Sequence, residues 1–374
     1  MKRVVCFIAI FCIFSLSFCV KAISTSAKSA ILINADTGEV IYSQNANEKL
    51  PMASTTKIMT ALILCEEGNM EKEITVTPEM VRVEGTSMGL LGGDKVSFKA
   101  LLYGMLLASG NDAANVTAYA LGGTVDGFVN MMNKKAKELG LNNTHFETPS
   151  GLDGDEHYTT AEDLAKLAKV CMDNPLFKEA ASTKAITLEY GNPPYRRTLT
   201  NHNKLLKTFE GAVGVKTGFT KKAGRCLVSC AEREGKRVIA VTLKDPNDWE
   251  DHINLLNYGL EKVQTTHITP KITDYSIPVI SSETRNVEVK IEEYSVSSLD
   301  TSGFSYEVNL PRFLYAPVKE GEVIGSVVYY KNNTEIDRQD IKSPQSIEKI
   351  TPQKGFGEKY KESFKSIFMS IWEK

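Results

Sequence analysis

The chain has no surplus of positive charge: 44 Lys and Arg stand against 46 Asp and Glu, a formal net charge of −2. The electrostatic footprint of a nucleic-acid-binding protein is therefore missing. Histidine is scarce. His145, His157, His202, His252 and His267 form no ligand-spaced cluster with the thiols, which argues against a metal centre. No internal repeat or low-complexity tract is visible. Of seven cysteines, Cys6, Cys12 and Cys19 fall in the first 20 residues. The other four, Cys65, Cys171, Cys226 and Cys230, lack the close pairing of a disulfide-rich module. Cys226 and Cys230 share one face of a predicted strand but lie about 13 Å apart at strand rise, too far for a bridge. They read as small buried residues.

What is present is the composition of a soluble globular protein, 42% hydrophobic and 24% charged, with length enough for two domains. Lys2 and Arg3 precede an apolar run from Val4 to Val20, and Val20-Lys21-Ala22 offers a small residue at a cleavage position. Residues 1–22 thus read as a secretory signal peptide, and the mature chain as exported. Phe18 is too bulky for Cys19 to be a lipidation site.

Ala30 to Asn34, the turn Asp36-Thr37-Gly38 and Val40 to Tyr42 predict a hairpin. Apolar periodicity predicts helices over Ser54 to Glu66, Phe98 to Leu107, Val125 to Leu139 and Ala161 to Met172, the last capped by Thr160. Cys226 to Cys230 and Val238 to Thr242 predict a second hairpin, and Asp248 to Tyr258 a returning helix. After His267 the pattern becomes period two, as in Val287, Val289 and Ile291. Residues 23–267 are therefore expected as one domain and 268–349 as a small all-β domain. In the segment 350–374, Tyr360, Phe364, Ile367, Phe368, Ile371 and Trp372 fall on one helical face. Such a helix reaches only about 22 Å, too short to span a bilayer. It either packs on its own protein or lies in a membrane surface, and the export signal with no other anchor favours the membrane.

Three motifs carry chemistry: Ser54-Thr55-Thr56-Lys57, Ser109-Gly110-Asn111 and Lys216-Thr217-Gly218. Their order is the one known from β-lactamases and penicillin-binding proteins. Ser54 and Lys57, three apart at a helix start, share a face, so the amine can activate the hydroxyl if its pKa falls. Burial or a nearby cation such as Lys216 would lower it. Ser109 could relay the leaving-group proton and Asn111 could orient substrate and Lys57. Lys216 to Gly218 suits an edge strand against which an extended peptide lies.

The stretch from Ala30 to about Tyr258 resembles the low-molecular-weight D-alanyl-D-alanine carboxypeptidases, a class of penicillin-binding protein. Beyond the triad, the likeness rests on Ala30 to Gly38, Pro51 to Ser54, Ser109 to Ala114, Leu139 to Phe146, Pro149 to Leu152 and Asn201 to Leu206. The resemblance implies an α/β transpeptidase-like catalytic domain, an antiparallel sheet between helices with a helical subdomain, then a β-rich domain and an amphipathic anchor. It implies Ser54 as acylated nucleophile, Lys57 as base, Ser109 and Asn111 in proton transfer and positioning, and Lys216, Thr217 and Gly218 in substrate binding. The oxyanion would be held by the backbone N–H groups of Ser54 and Phe219. Some relatives carry histidine at the Phe219 position, and some carry arginine where this chain has His202, which reads as a surface residue. The substrate would be peptidoglycan stem peptides and the inhibitors β-lactams, with neither metal nor cofactor. A class A β-lactamase is the nearest rival, because Glu138-Leu139-Gly140-Leu141-Asn142 matches its Glu-x-x-Leu-Asn pattern. The carboxypeptidase-like surroundings of Glu138 and the appended β-domain weigh against it. An inert peptidoglycan-binding scaffold is disfavoured by the intact triad.

Overall fold

A computed structural model describes residues 23–270 and 274–350, together with Lys361. The readings at 1–22 and of the helix beyond residue 350 lie outside these residues. Strands β1 (Ser29–Asn34) and β2 (Val40–Gln44) form the first hairpin, and a 3-10 turn, Ala53–Thr56, runs into helix α1 (Lys57–Glu67). There follow β3 (Glu73–Thr75), β4 (Lys95–Ser97), α2 (Phe98–Leu106), α3 (Asn111–Gly122), α4 (Val125–Glu138), α5 (Ala161–Asp173) and α6 (Pro175–Ser182). The hairpin β5 (Ala185–Gly191) and β6 (Pro194–Thr200) leads through α7 (Leu205–Thr208) to β7 (Ala212–Thr220), β8 (Gly224–Arg233), β9 (Lys236–Leu243) and α8 (Asp248–Lys262).

The main sheet is antiparallel in the order β2-β1-β9-β8-β7, which leaves β7 at one edge. Its strands alternate strictly. Ile31, Ile33, Val228, Ile239 and Val241 face the core containing α1. Leu32, Leu227, Val238 and Ala240 face Leu255, Leu256 and Leu260 of α8 on the other side. A sheet with helices on both faces buries both sets of side chains, so its inner strands are mostly apolar, with Ser29, Asn34, Ser229 and Thr242 as buried polar exceptions. Helix α1 is buried from Lys57 to Cys65, as a helix enclosed on all sides must be. The predicted helix therefore exists, but Ser54 sits in the preceding 3-10 turn and not in α1. At α5 the cap is as expected, with Asp163 N–H donating to Thr160 Oγ1 at 3.1 Å.

The second unit begins with β10 (Gln264–Ile268), which pairs with β13 (Tyr294–Ser298) and so crosses the expected boundary at residue 268. Between them lie β11 (Asp274–Ile280) and β12 (Asn286–Lys290), and β14 (Phe304–Asn309), β15 (Leu314–Tyr315), β16 (Val323–Lys331) and β17 (Thr334–Lys342) complete the unit. Its own core gathers Ile277, Val287, Val289, Val296, Val327 and Tyr329. The joint to the first unit is polar. Asp36, in the β1–β2 turn, accepts from Ser297 N–H at 2.8 Å, Ser297 Oγ–H at 2.6 Å and Arg237 Nε at 3.0 Å.

Candidate active site

The three motifs come from three elements that meet at the edge of the main sheet. Ala53 takes a left-handed conformation, φ +49°, and turns the chain sharply just before Ser54. Thr55 and Thr56 then bond back to the Met52 and Ala53 carbonyls at 2.6 and 2.8 Å, which fixes the turn from within. Strand β7 runs past this turn at close quarters. A Cβ on Gly218 would lie 3.1 Å from Met52 O, Ser54 N and Thr55 N, so any larger residue would have to push strand and turn slightly apart.

Lys57 is fully buried, and its Nζ touches Asn111 Oδ1 at 2.7 Å, the Ser150 carbonyl at 2.6 Å and Ser54 Oγ at 3.1 Å. The Asn111 amide is oriented by its other end, where Nδ2 donates to the Glu84 carbonyl at 2.6 Å. Asn111 Oδ1 and Ser150 O can only accept. Once the amine is neutral, these two acceptors would take its two hydrogens and leave its lone pair for the Ser54 hydroxyl. Burial and then the Lys216 cation drive the Lys57 pKa well down, while Asp112 acts in the opposite sense. Lys216, buried on β7, is pushed down to about 7 by burial, and its Nζ donates to the Thr217 carbonyl at 2.9 Å.

Ser109 is buried and also left-handed, φ +57°. It ends the connection from α2, and Asn111 opens α3. Ser54, Ser109, Thr217, Gly218 and Phe219 line one cavity of about 370 Å³, together with Trp249 of α8. His202 lines the same cavity with its ring partly covered; that partial burial and the nearby Lys216 hold its pKa below the usual imidazole value. Among the described residues no group of three His, Cys, Asp or Glu side chains is gathered as a metal site.

The model of the D-alanyl-D-alanine carboxypeptidase family, Peptidase S11, matches residues 17–247. The chain belongs to this family. Residues 265–349 match the C-terminal domain of penicillin-binding protein 5. The D-alanyl-D-alanine carboxypeptidase DacF of Bacillus subtilis is 31% identical over 86% of this chain and 86% of its own length. The crystal structure of the D-alanyl-D-alanine carboxypeptidase DacD from Francisella tularensis superposes with a TM-score of 0.63 at 26% identity, over 88% of this chain and 95% of that one. The DD-transpeptidase of Streptomyces K15 does so with 0.61 at 34% identity, over 64% and 98%.

Within the family fold, Glu138 does not line the cavity. It sits at the end of α4, 3.7 Å from Lys134 and 3.4 Å from Lys135. Two contributors had no signal in the sequence. The Ser150 carbonyl can be any residue's, so its contact with Lys57 is invisible in a motif. His157 lies behind the Ala53–Thr56 turn. Its Nδ1 accepts from the Glu147 N–H at 2.9 Å, so Nε2 carries the proton and donates to Thr56 Oγ1 at 2.8 Å. Burial pushes its pKa down to about 4 and keeps the ring neutral.

Proposed function

We propose that Ser54 is the nucleophile of a serine-type D-Ala-D-Ala carboxypeptidase that removes terminal D-alanine from peptidoglycan stem pentapeptides. The activity is that of the family to which the chain belongs. The observation that carries the residue assignment is the set of three contacts around Lys57 Nζ: Asn111 Oδ1 and the Ser150 carbonyl accept from it, and Ser54 Oγ lies 3.1 Å away, where a neutral amine would present its lone pair.

In this reading the stem peptide lies along β7, with Lys216, Thr217 and Gly218 against its end. Lys57 takes the Ser54 proton as Oγ attacks the penultimate D-alanine carbonyl. The backbone N–H groups of Ser54 and Phe219 hold the resulting oxyanion. The C–N bond then breaks, D-alanine leaves with a proton passed from Lys57 through Ser109, and water hydrolyses the ester. Asn111 keeps Lys57 and the substrate amide aligned throughout. Penicillin enters the same sequence because its lactam presents an equivalent carbonyl. Residues 1–22 act as the export signal, 23–263 carry catalysis, 264–349 form the β-rich domain, and 350–374 hold the enzyme at the outer face of the cytoplasmic membrane beside the cell wall.

The test is mass spectrometry of the purified mature protein with a pentapeptide ending in D-Ala-D-Ala and, separately, with penicillin. One D-alanine should be lost per peptide. The protein mass should rise by one penicillin for minutes or longer, and Ser54→Ala should abolish both results. Fast penicillin turnover without a lasting adduct would instead favour a β-lactamase.

A further inference from the structure

Asp112 comes directly after the Ser109-Gly110-Asn111 motif and has no part in the proposed acyl transfer. It is buried, only 3% exposed, in the first turn of α3. Its carboxylate is consumed by one stretch of chain. Oδ2 accepts from Ser87 Oγ–H at 2.6 Å, Leu90 N–H at 3.0 Å and Gly89 N–H at 3.1 Å, and Oδ1 accepts from Met88 N–H at 2.9 Å. Oδ1 also accepts from Ala113 N–H within its own helix at 2.9 Å. Among the described residues no cation lies within salt-bridge distance of it. A buried carboxylate without a counter-ion is tolerable when several N–H groups converge on it, and those bonds then fix the donors strongly.

The segment it fixes is tied directly to the catalytic motif. Thr86 Oγ1 donates to the Ser109 carbonyl at 2.7 Å, and Asn111 N–H donates to the Thr86 carbonyl at 2.7 Å. The Glu84 carbonyl receives the Asn111 amide, which sets the side of Asn111 that Lys57 meets. From outside, Tyr190 OH donates to the Met88 carbonyl at 3.0 Å and Arg197 Nη1 to the Gly89 carbonyl at 2.5 Å. Residues 84–90 are thus held between α3 and the β5–β6 hairpin, and the left-handed Ser109 is pinned to their inner edge.

We propose that Asp112 is a positioning residue for acylation: by fixing Ser87 to Leu90 it holds Thr86, and through Thr86 it holds Ser109 and Asn111 in register with Lys57. The inference rests on the acyl-enzyme reading of Ser54, and penicillin labelling of the wild-type protein is the control that tests that reading separately.

Asp112→Asn keeps the shape of the side chain. Whichever way the amide turns, its NH₂ confronts N–H or O–H donors that the carboxylate had satisfied. Acylation by penicillin, expressed per active site that is finally labelled, should slow on the order of 100-fold, the scale of an ångström's misplacement. Lys57 is faced by Lys216 from β7 and Asp112 from α3, and Asp112 raises its pKa. Removing that anion lets Lys57 lose its proton more readily, so the acidic limb of the rate profile should move to lower pH. The limb moves with the charge in either case; a purely structural role would reduce the number of labelled sites but leave the plateau rate per site where it was, and that result overturns the proposal. Thr86→Val removes only the hydroxyl bond to the Ser109 carbonyl. It should slow acylation about 10-fold without altering the melting temperature. If Asp112→Asn does not fold, Thr86→Val decides alone, and a wild-type rate in it refutes the chain of contacts.

Discussion

Lys57 can take a proton from Ser54 only as an uncharged amine, and two neighbours of opposite sign set when that happens. Burial and the Lys216 cation favour the neutral form, whereas Asp112 favours the charged one. An amine with a lowered pKa is protonated below that value, so acylation should fall as pH drops through it. Lys57→Ala should abolish penicillin acylation. Lys57→Arg should also fail, because guanidinium stays protonated. Lys216→Gln removes a neighbouring positive charge and should move the acidic limb to higher pH, besides weakening substrate binding. Stopped-flow acylation across pH reads both effects; normal acylation in the arginine variant would refute the base assignment. At this scale the sequence was informative where a side chain does the work. Ser54, Lys57, Ser109, Asn111 and Lys216 stand out in the sequence because the proposed chemistry needs those residue types, and the structure brings their three motifs together at one sheet edge. The Ser150 carbonyl and the backbone of residues 84–90 do not stand out, since a main-chain group leaves no compositional trace.

Elements were legible in proportion to their apolar contrast. Helix α5 has a polar and an apolar face and a threonine cap, and its bounds fall within one residue of the expected ones. Helix α3 escaped notice because its buried face is built from Ala113, Ala114, Val116 and Ala118, small residues that give a weak periodic signal. The Ala53–Thr56 turn escaped for a different reason. A 3-10 turn that runs at once into a helix has the same apolar spacing as one longer helix, and only its contact with β7 reveals the difference. That contact is testable at Gly218. The atoms a Cβ would crowd at 3.1 Å are all backbone, so none can swing away. Gly218→Ala should therefore displace the turn from β7 and slow acylation about 10-fold. Circular dichroism should show the fold retained. An unchanged acylation rate would mean that strand and turn need not touch for the reaction.

At the scale of the whole molecule, the catalytic unit and the β-rich unit are joined by hydrogen bonds more than by apolar packing. Asp36 meets Ser297, and Glu39 Oε2 accepts from Ser298 Oγ–H at 2.8 Å and Leu299 N–H at 3.1 Å. Each unit keeps its own core, so removing residues 351–374 should leave the catalytic site intact. The last described stretch closes on itself: Ile350 N–H donates to the Ser281 carbonyl at 2.8 Å, and Ile347 and Val318 exchange two bonds. Residue 350 is therefore a natural place to cut. No helix among the described residues is long and apolar enough to cross a membrane. The proposed anchor is the stripe Phe364, Ile367, Phe368, Ile371 and Trp372, suited by length to lie in a bilayer surface. A mature chain ending at Ile350 should stay soluble and hydrolyse a small peptide at the full-length rate, yet no longer sediment with lipid vesicles. Phe368→Glu with Trp372→Glu should do the same, since each buried aromatic contributes on the order of 1.5–3 kcal/mol to membrane binding. If the shortened chain binds vesicles as well as the full one, the anchor lies elsewhere. If it binds none but also melts several degrees lower, the stripe packs on the protein instead. The melting curve thus separates the two roles that periodicity alone left open.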